Sequence, residues 1–151
     1  GTREIALADL HVLPGDTPKV ETVLQPGEVI TSVILPPAPP GRQAYVKIRD
    51  RASYAFALVS VAAGLRIEDD RIVGAALAFG GVAAKPWRLT EAEESLIGLR
   101  ADAEAFRAAA HLAMTGAHPL AQNAFKVDLG RHSIVRALTL AAVDRGSEGQ
   151  R

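Results

Sequence analysis

Three cations, Lys47, Arg49 and Arg51, occupy alternate positions along one short stretch of the chain. In an extended strand alternate side chains share a face, so Lys47 and Arg49 project together and Arg51 continues the line just beyond. Such a row is either a solvated sheet edge or a surface that meets an anion, and spacing alone leaves both open. The other reactive side chains offer less. His11, His111, His118 and His132 show no i, i+4 pair, and Gly116 and Pro119 interrupt any common helical face for His111 and His118. That argues against a metal site and for solvated imidazoles. Ser53 and Ser60 lack a G-x-S-x-G elbow, so no nucleophile and base pair can be argued from them. Glu91, Glu93 and Glu94 crowd the first turn of a predicted helix, where they complement its dipole. Glu68, Asp69 and Asp70 have the composition of a calcium loop, but turn chemistry explains them better. Gly80-Gly81 ends a strand with no helix start behind it, so it reads as a sharp turn with positive φ rather than a phosphate cradle.

Composition narrows the field further. The chain has 151 residues, one domain's worth, with 48% hydrophobic and only 5% aromatic residues. Its core must therefore be built from Ala, Val, Leu and Ile. Seventeen basic residues balance seventeen acidic ones, without the one-sided basic footprint of a nucleic-acid partner. No apolar run approaches the ~20 residues that cross a bilayer, so no membrane partner is expected. There is no cysteine, which removes disulfides, thiolate catalysis and cysteine-held iron–sulfur clusters from this chain. It fits a cytoplasmic location.

The elements that must position these residues follow from periodicity. Residues 1–28 are broken by Pro14, Gly15, Pro18, Pro26 and Gly27 and read as an extended segment. Val29–Leu35 has apolar groups on both faces and predicts a largely buried first strand. The proline run Pro36–Gly41 reads as a rigid loop rather than a recognition motif. Gln43–Arg49 predicts a second strand, and Ser53–Phe56 a short helical turn. A hairpin follows: Leu58–Ile67, the acidic turn, then Ile72–Gly80. One hairpin face is bulky, with Val59, Val61, Leu65, Val73, Leu77 and Phe79. The other is nearly flat, with Gly74, Ala76, Ala78 and Gly80, as where a helix lies close against a sheet. Thr90 and Glu93 predict a capping box, and Gly98 the helix stop. Asp102 predicts the cap of a second helix burying Phe106, Ala109, Ala110 and Ala113. A last helix is expected from about Lys126 to Asp144, burying Val127, Ile134, Val135, Leu138, Ala141 and Ala142, with Arg131, His132, Arg136 and Arg145 outside. The tail, residues 146–151, reads as disordered. Strands followed by helices make an α+β layout.

Five stretches in register resemble one known family. They are RxIxLADLHxLPGDTP (Arg3–Pro18), LQPGEVITSVILP (Leu24–Pro36), YVKIRDRASYAFALVSVAAGL (Tyr45–Leu65), ALAFGGVAAKPWR (Ala76–Arg88) and NAFKVDLGRHSIVRAL (Asn123–Leu138). Together they resemble the C-terminal half of the FAD-binding subunit of molybdenum hydroxylases, the xanthine dehydrogenase and aldehyde oxidoreductase family. That half is named after the carbon monoxide dehydrogenase flavoprotein. The resemblance implies a small antiparallel three-stranded sheet covered by helices in two layers. It assigns residues 1–28 to the end of the preceding FAD-binding region and 29–145 to the C-terminal domain.

It also implies a role in an FAD-dependent oxidoreductase. Substrate is hydroxylated at molybdopterin on one partner subunit, and electrons pass through two [2Fe–2S] clusters on another, then to FAD and an acceptor. The N-terminal FAD-binding half of the same subunit is a further implied partner. By the resemblance, Ile30 packs against the isoalloxazine ring, Lys47 lies near its polar edge and Arg51 close by. A lysine about 4 Å from a reduced, negatively charged flavin is worth about 4 kcal/mol at an effective dielectric of 20. The family's glycine-rich pyrophosphate loops have no match here, so the chain alone is expected to be inactive, to bind FAD weakly or not at all, and to self-associate through the face its neighbour would cover. The alternative is a packing and subunit-assembly module with no cofactor contact.

Overall fold

The computed structural model describes residues 1–143. The expected disordered tail and Arg145 lie outside them. The chain forms two compact units, one made of Gly1–Pro39 with Ala83–Lys85, the other of Pro40–Val82 with the described residues from Pro86 to 143.

In the first unit the opening segment holds more local structure than its prolines led us to expect. A four-residue helix, α1 (Leu7–Leu10), is followed by a bridge between His11 and Thr22. The Val12 amide donates to Glu21 and the Val23 amide to Leu10, closing the loop between them. Arg3 then forks onto the Glu28 carboxylate at 2.9 and 2.7 Å and reaches the Val23 carbonyl at 3.1 Å. The predicted strand Val29–Leu35 does not form. These residues have no regular structure and are exposed, because no partner strand among the described residues meets their backbone.

The second unit contains a sheet of four antiparallel strands in the order β1 (Arg42–Ile48), β2 (Val59–Glu68), β3 (Arg71–Gly80) and β4 (Trp87–Arg88). The implied three-stranded sheet is thus present with one short addition: Trp87 and Arg88 pair with Phe79 and Ala78. Asp69 and Asp70, with φ of 48° and 62°, form the two-residue hairpin turn. Two consecutive left-handed residues match the right-handed strand twist, which is why short polar side chains sit there. A bulge beside Arg66 and Ile67 shifts the register. It carries Ile72 rather than Val73 fully into the core.

Three helices complete the unit: α2 (Thr90–Leu96), α3 (Ala103–Ala113) and α4 (Phe125–Ala142). Asp102 caps α3 as predicted, accepting from the Glu104 and Ala105 amides at 3.0 Å each. The helices α2 and α4 pack on the sheet and α3 packs on both of them. They cover the bulky face, where Val59, Val61, Leu65, Leu77 and Phe79 meet Leu96, Phe106, Ile134 and Leu138. The flat face is left open, with Ala62, Ala76 and Ala78 exposed. The close helix approach comes instead from the helix side. A Cβ on Gly130 would sit 2.7 Å from the Phe79 ring, so α4 crosses the sheet at its glycine. In α4, Val127, Val135 and Ala142 are only partly buried, and Gly130, Ser133 and Ala137 join the buried stripe. The backbone of Ser53–Phe56 bends rather than making a helical turn.

The predicted capping box at α2 is not made. Thr90 is already helical, and the preceding Leu89 offers no side-chain cap. The Glu93 carboxylate, 5% exposed, accepts instead from the Leu77 amide at 2.8 Å and from the Arg88 fork at 3.0 Å. It thereby satisfies a donor on the outer edge of β3, just beyond the short β4. The same contact raises the Arg88 guanidinium above its ordinary value, with its hydrogen bonds to Glu93 as the main cause and their charge attraction second.

Candidate functional site on the open sheet face

Strand alternation decides which side chains reach the open face. On β1, Ala44 and Val46 turn toward the helices, leaving Tyr45 and Lys47 on the other side. Lys47 pairs with Ser60, and Ser60 in turn with Gly80. A row across three strands therefore carries an exposed ammonium group, a largely buried serine and bare backbone. A Cβ on Gly80 would lie 2.6 Å from the Ser60 Oγ, so the row stays flat only because that position is glycine. The adjacent row, Tyr45, Ala62 and Ala78, is aromatic at one end and small at the other.

β1 ends at Ile48, so Arg49 and Arg51 lie in the exposed loop that follows it rather than on the strand. Leu58 donates to the Ile48 carbonyl and closes the loop at its base. Within it Arg51 donates from Nη2 to the Tyr54 carbonyl. That bond holds a bend in which Tyr54 has a φ of 48°, and Tyr54 and Phe56 are 96% and 98% exposed. Gly81 closes the opposite end of the row with a φ of 77°, the turn its sequence predicts. Lys126 donates to the Gly81 carbonyl at 3.0 Å and fixes that turn to α4.

Of the three residues the resemblance assigned, Lys47 and Arg51 lie in the second unit, on the open face and in the loop beside it. Ile30 lies in the first unit, 55% exposed. Ser60 and Gly80 were not singled out as site residues. The signal existed in the alternation, but only register shows that they share a row with Lys47. No group of three His, Asp or Glu side chains is placed to hold a metal among the described residues. No helix there is long and apolar enough to cross a membrane.

A flat platform of small residues with a cation at one end suits a planar, largely apolar group with an anionic rim. A flavin ring is such a group, so the residues present fit it. They do not suit its phosphates. The first turns of α1, α2, α3 and α4 all carry carboxylates, which oppose an anion at those helix starts.

Residues 43–141 match the family described as the CO dehydrogenase flavoprotein C-terminal domain. The chain is 44% identical over 140 residues to the aldehyde oxidoreductase FAD-binding subunit PaoB of Escherichia coli, covering 93% of this chain and 41% of that protein. It is 36% identical over 72 residues to the glyceraldehyde dehydrogenase medium chain of Sulfolobus acidocaldarius, covering 48% of this chain and 25% of the other. Among solved structures it resembles the reconstituted CO dehydrogenase from Oligotropha carboxidovorans, with a TM-score of 0.72 at 25% identity over 81% of this chain and 44% of that one. Quinoline 2-oxidoreductase from Pseudomonas putida 86 gives 0.64 at 26% identity over 68% and 37%. The chain thus spans less than half the length of these relatives.

Proposed function

The chain belongs to the CO dehydrogenase flavoprotein C-terminal domain family, and from that premise we propose that it serves as the C-terminal domain of a molybdenum hydroxylase FAD subunit and forms one wall of its flavin site. The observation that supports this reading is the exposed Lys47 beside the flat, open row of Ala62, Ala76 and Ala78, with Ser60 and Gly80 paired in register with it. The exposed Lys47 ammonium attracts negative charge at the ring's polar edge. The alanines exclude water from the ring's flat side. Arg51 orders the adjoining loop through the Tyr54 carbonyl and adds positive charge.

When bound, FAD would carry electrons from the iron–sulfur clusters of one partner subunit, filled from molybdopterin on another, to an external acceptor. This chain's contribution is to bind, orient and bias the charge of that cofactor in a cytoplasmic enzyme. With no match to the family's glycine-rich pyrophosphate loops, the chain by itself is expected to bind FAD weakly or not at all and to be inactive. Titrating it into FAD while following flavin fluorescence should show no tight complex, whereas the complete subunit should be yellow. A Lys47→Met subunit should bind FAD with a more negative potential; an unchanged potential would remove Lys47 from the site.

The second reading, a packing and assembly module with no cofactor contact, draws on the large exposed side chains Tyr54 and Phe56. Under it, Lys47→Met leaves the potential unchanged, and Tyr54→Ser with Phe56→Ser weakens subunit assembly instead.

A further inference from the structure

The row that ends at Gly80 lies where the sheet runs out. Ser60 and Gly80 form the last pair of the β2–β3 ladder, and only Ile48 with Val59 follows Lys47 with Ser60 between β1 and β2. β4 pairs with Phe79 and Ala78 and stops short of Gly80. Strand ends held on one side open first, and Gly80 has no side chain with which to keep its place. The residue after it supplies the hold. At a φ of 77°, Gly81 turns the backbone against the start of β2. A Cβ there would sit 3.0 Å from the Ala57 carbonyl oxygen and 3.2 Å from that of Leu58. The Gly81 carbonyl then accepts from Lys126 Nζ at 3.0 Å.

Two features of α4 place Lys126 for this bond. It stands four residues before Gly130, so the two share one helix face about one turn apart. Gly130 rests on the Phe79 ring, and Lys126, one turn earlier, reaches Gly81, two positions beyond Phe79. The loop before α4 is also closed on itself. Asn123 Oδ1 accepts from the Leu120 amide at 2.6 Å, and the Asn123 carbonyl accepts from the Lys126 amide at 2.9 Å. Helix formation does not account for the cation, because positive charge in a first turn opposes the helix dipole. The Gly81 carbonyl does account for it.

We infer that Lys126 is a positioning residue of the flavin wall. By holding the Gly81 carbonyl it fixes the Gly80 end of the row that Lys47 begins, and with it the base of the loop that carries Arg51. That base is shared, because Gly81 lies against Ala57 and Leu58, and the Leu58 amide closes the loop on the Ile48 carbonyl at 2.8 Å. Lys126 touches no cofactor in this role and acts through the backbone of another element. The inference rests on the reading of this face as a flavin wall, and it adds to that wall a residue from α4.

The test has two arms. In this chain as it stands, hydrogen exchange at the Gly80 and Leu58 amides should quicken about 5-fold in Lys126→Met. The Val61 and Leu77 amides should exchange as in the parent, and Lys126→Arg, which keeps a donor, should restore the parent rates throughout. In the complete subunit, Lys126→Met should raise the FAD dissociation constant by about 3- to 10-fold, and Lys126→Arg should not. Lys126→Met also removes a charge, and Gly81→Ala separates the two effects, since a side chain at a φ of 77° strains the same turn by another route. Acting through the turn, Lys126→Met adds little in the Gly81→Ala background. Acting through charge alone, it would add its full effect and overturn the inference. Unchanged exchange at Gly80 and Leu58 would overturn it as well. Lys47→Met, run alongside, tells the two proposals apart. If it shifts the flavin potential while Lys126→Met leaves FAD binding unaltered, the wall stands and the positioning role fails. If neither variant affects the flavin, the wall fails and the positioning role with it.

Discussion

Single side chains in this protein do their work through charge placed against backbone. Glu93 is the strongest case, because its buried carboxylate receives both a strand amide and a guanidinium. Glu93→Ala leaves the buried Leu77 amide unpaired and should cost about 1–3 kcal/mol in denaturant unfolding. Arg88 is 70% exposed, so its own share of that loss is screened and small. At Glu28, the hydrogen bonds from Arg3 lead, followed by the one from Gln25, and together they hold the carboxyl below its ordinary value of 4.5. A depressed carboxyl adds order that is present above its unfolded value and is lost as pH falls through the folded one. The Gln25 amide resonance should therefore titrate with a midpoint below 4.5, and Arg3→Ala should move that midpoint upward. Lys47 acts on the cofactor rather than the fold. In the complete subunit, Lys47→Met should shift the flavin potential to the negative side by about 30 mV, where solvent screening of the exposed lysine holds the effect to ~1.4 kcal/mol for a two-electron couple, and by at most about 90 mV where the site is dry. Redox titration reads that directly, and unfolding of the variant should match the parent.

At the scale of elements, the sheet is asymmetric by construction. Bulky side chains alternate toward the helices and small ones toward the open side, and the crossing of α4 over Phe79 depends on Gly130. Gly130→Ala regains about 1 kcal/mol of helix propensity. Its methyl would meet a fully buried ring at 2.7 Å and the Met114 thioether at 3.3 Å. Overpacking of this kind costs about 1–3 kcal/mol, so net destabilisation is expected, visible as a lower thermal midpoint. Shortening the ring with Phe79→Leu in the Gly130→Ala background should relieve part of it, because the ring is the nearer of the two contacts. The capping of α3 was legible from Asp102 alone, as caps act within three residues. The capping box at α2 was misread for the opposite reason. Thr90 and Glu93 have the correct spacing, but a strand amide and Arg88, distant in sequence or lying outside the motif, compete successfully for the same carboxylate.

For the whole molecule, the division into two units predicts that residues 40–143 carry the cooperative fold. A chain beginning at Pro40 should unfold in a single transition by circular dichroism, within a few degrees of the parent, since the core residues from Val46 to Ala141 all belong to that unit. Local rules in the sequence were enough for the α+β layout, the hairpin at Asp69-Asp70, the cap at Asp102 and the three long strands. Each is decided by period or by neighbours a few residues away. The family resemblance, carried by five stretches in order, added the cofactor reading that periodicity lacks. Tertiary structure alone decided three things. It turned the bulky hairpin face toward the helices and left the flat one open, and it joined Lys47, Ser60 and Gly80 in one row. It also left Val29–Leu35 without a sheet. A strand's pattern records which side chains seek burial, whereas pairing requires another backbone at a distance of about 4.8 Å, and only the folded chain shows whether one is there.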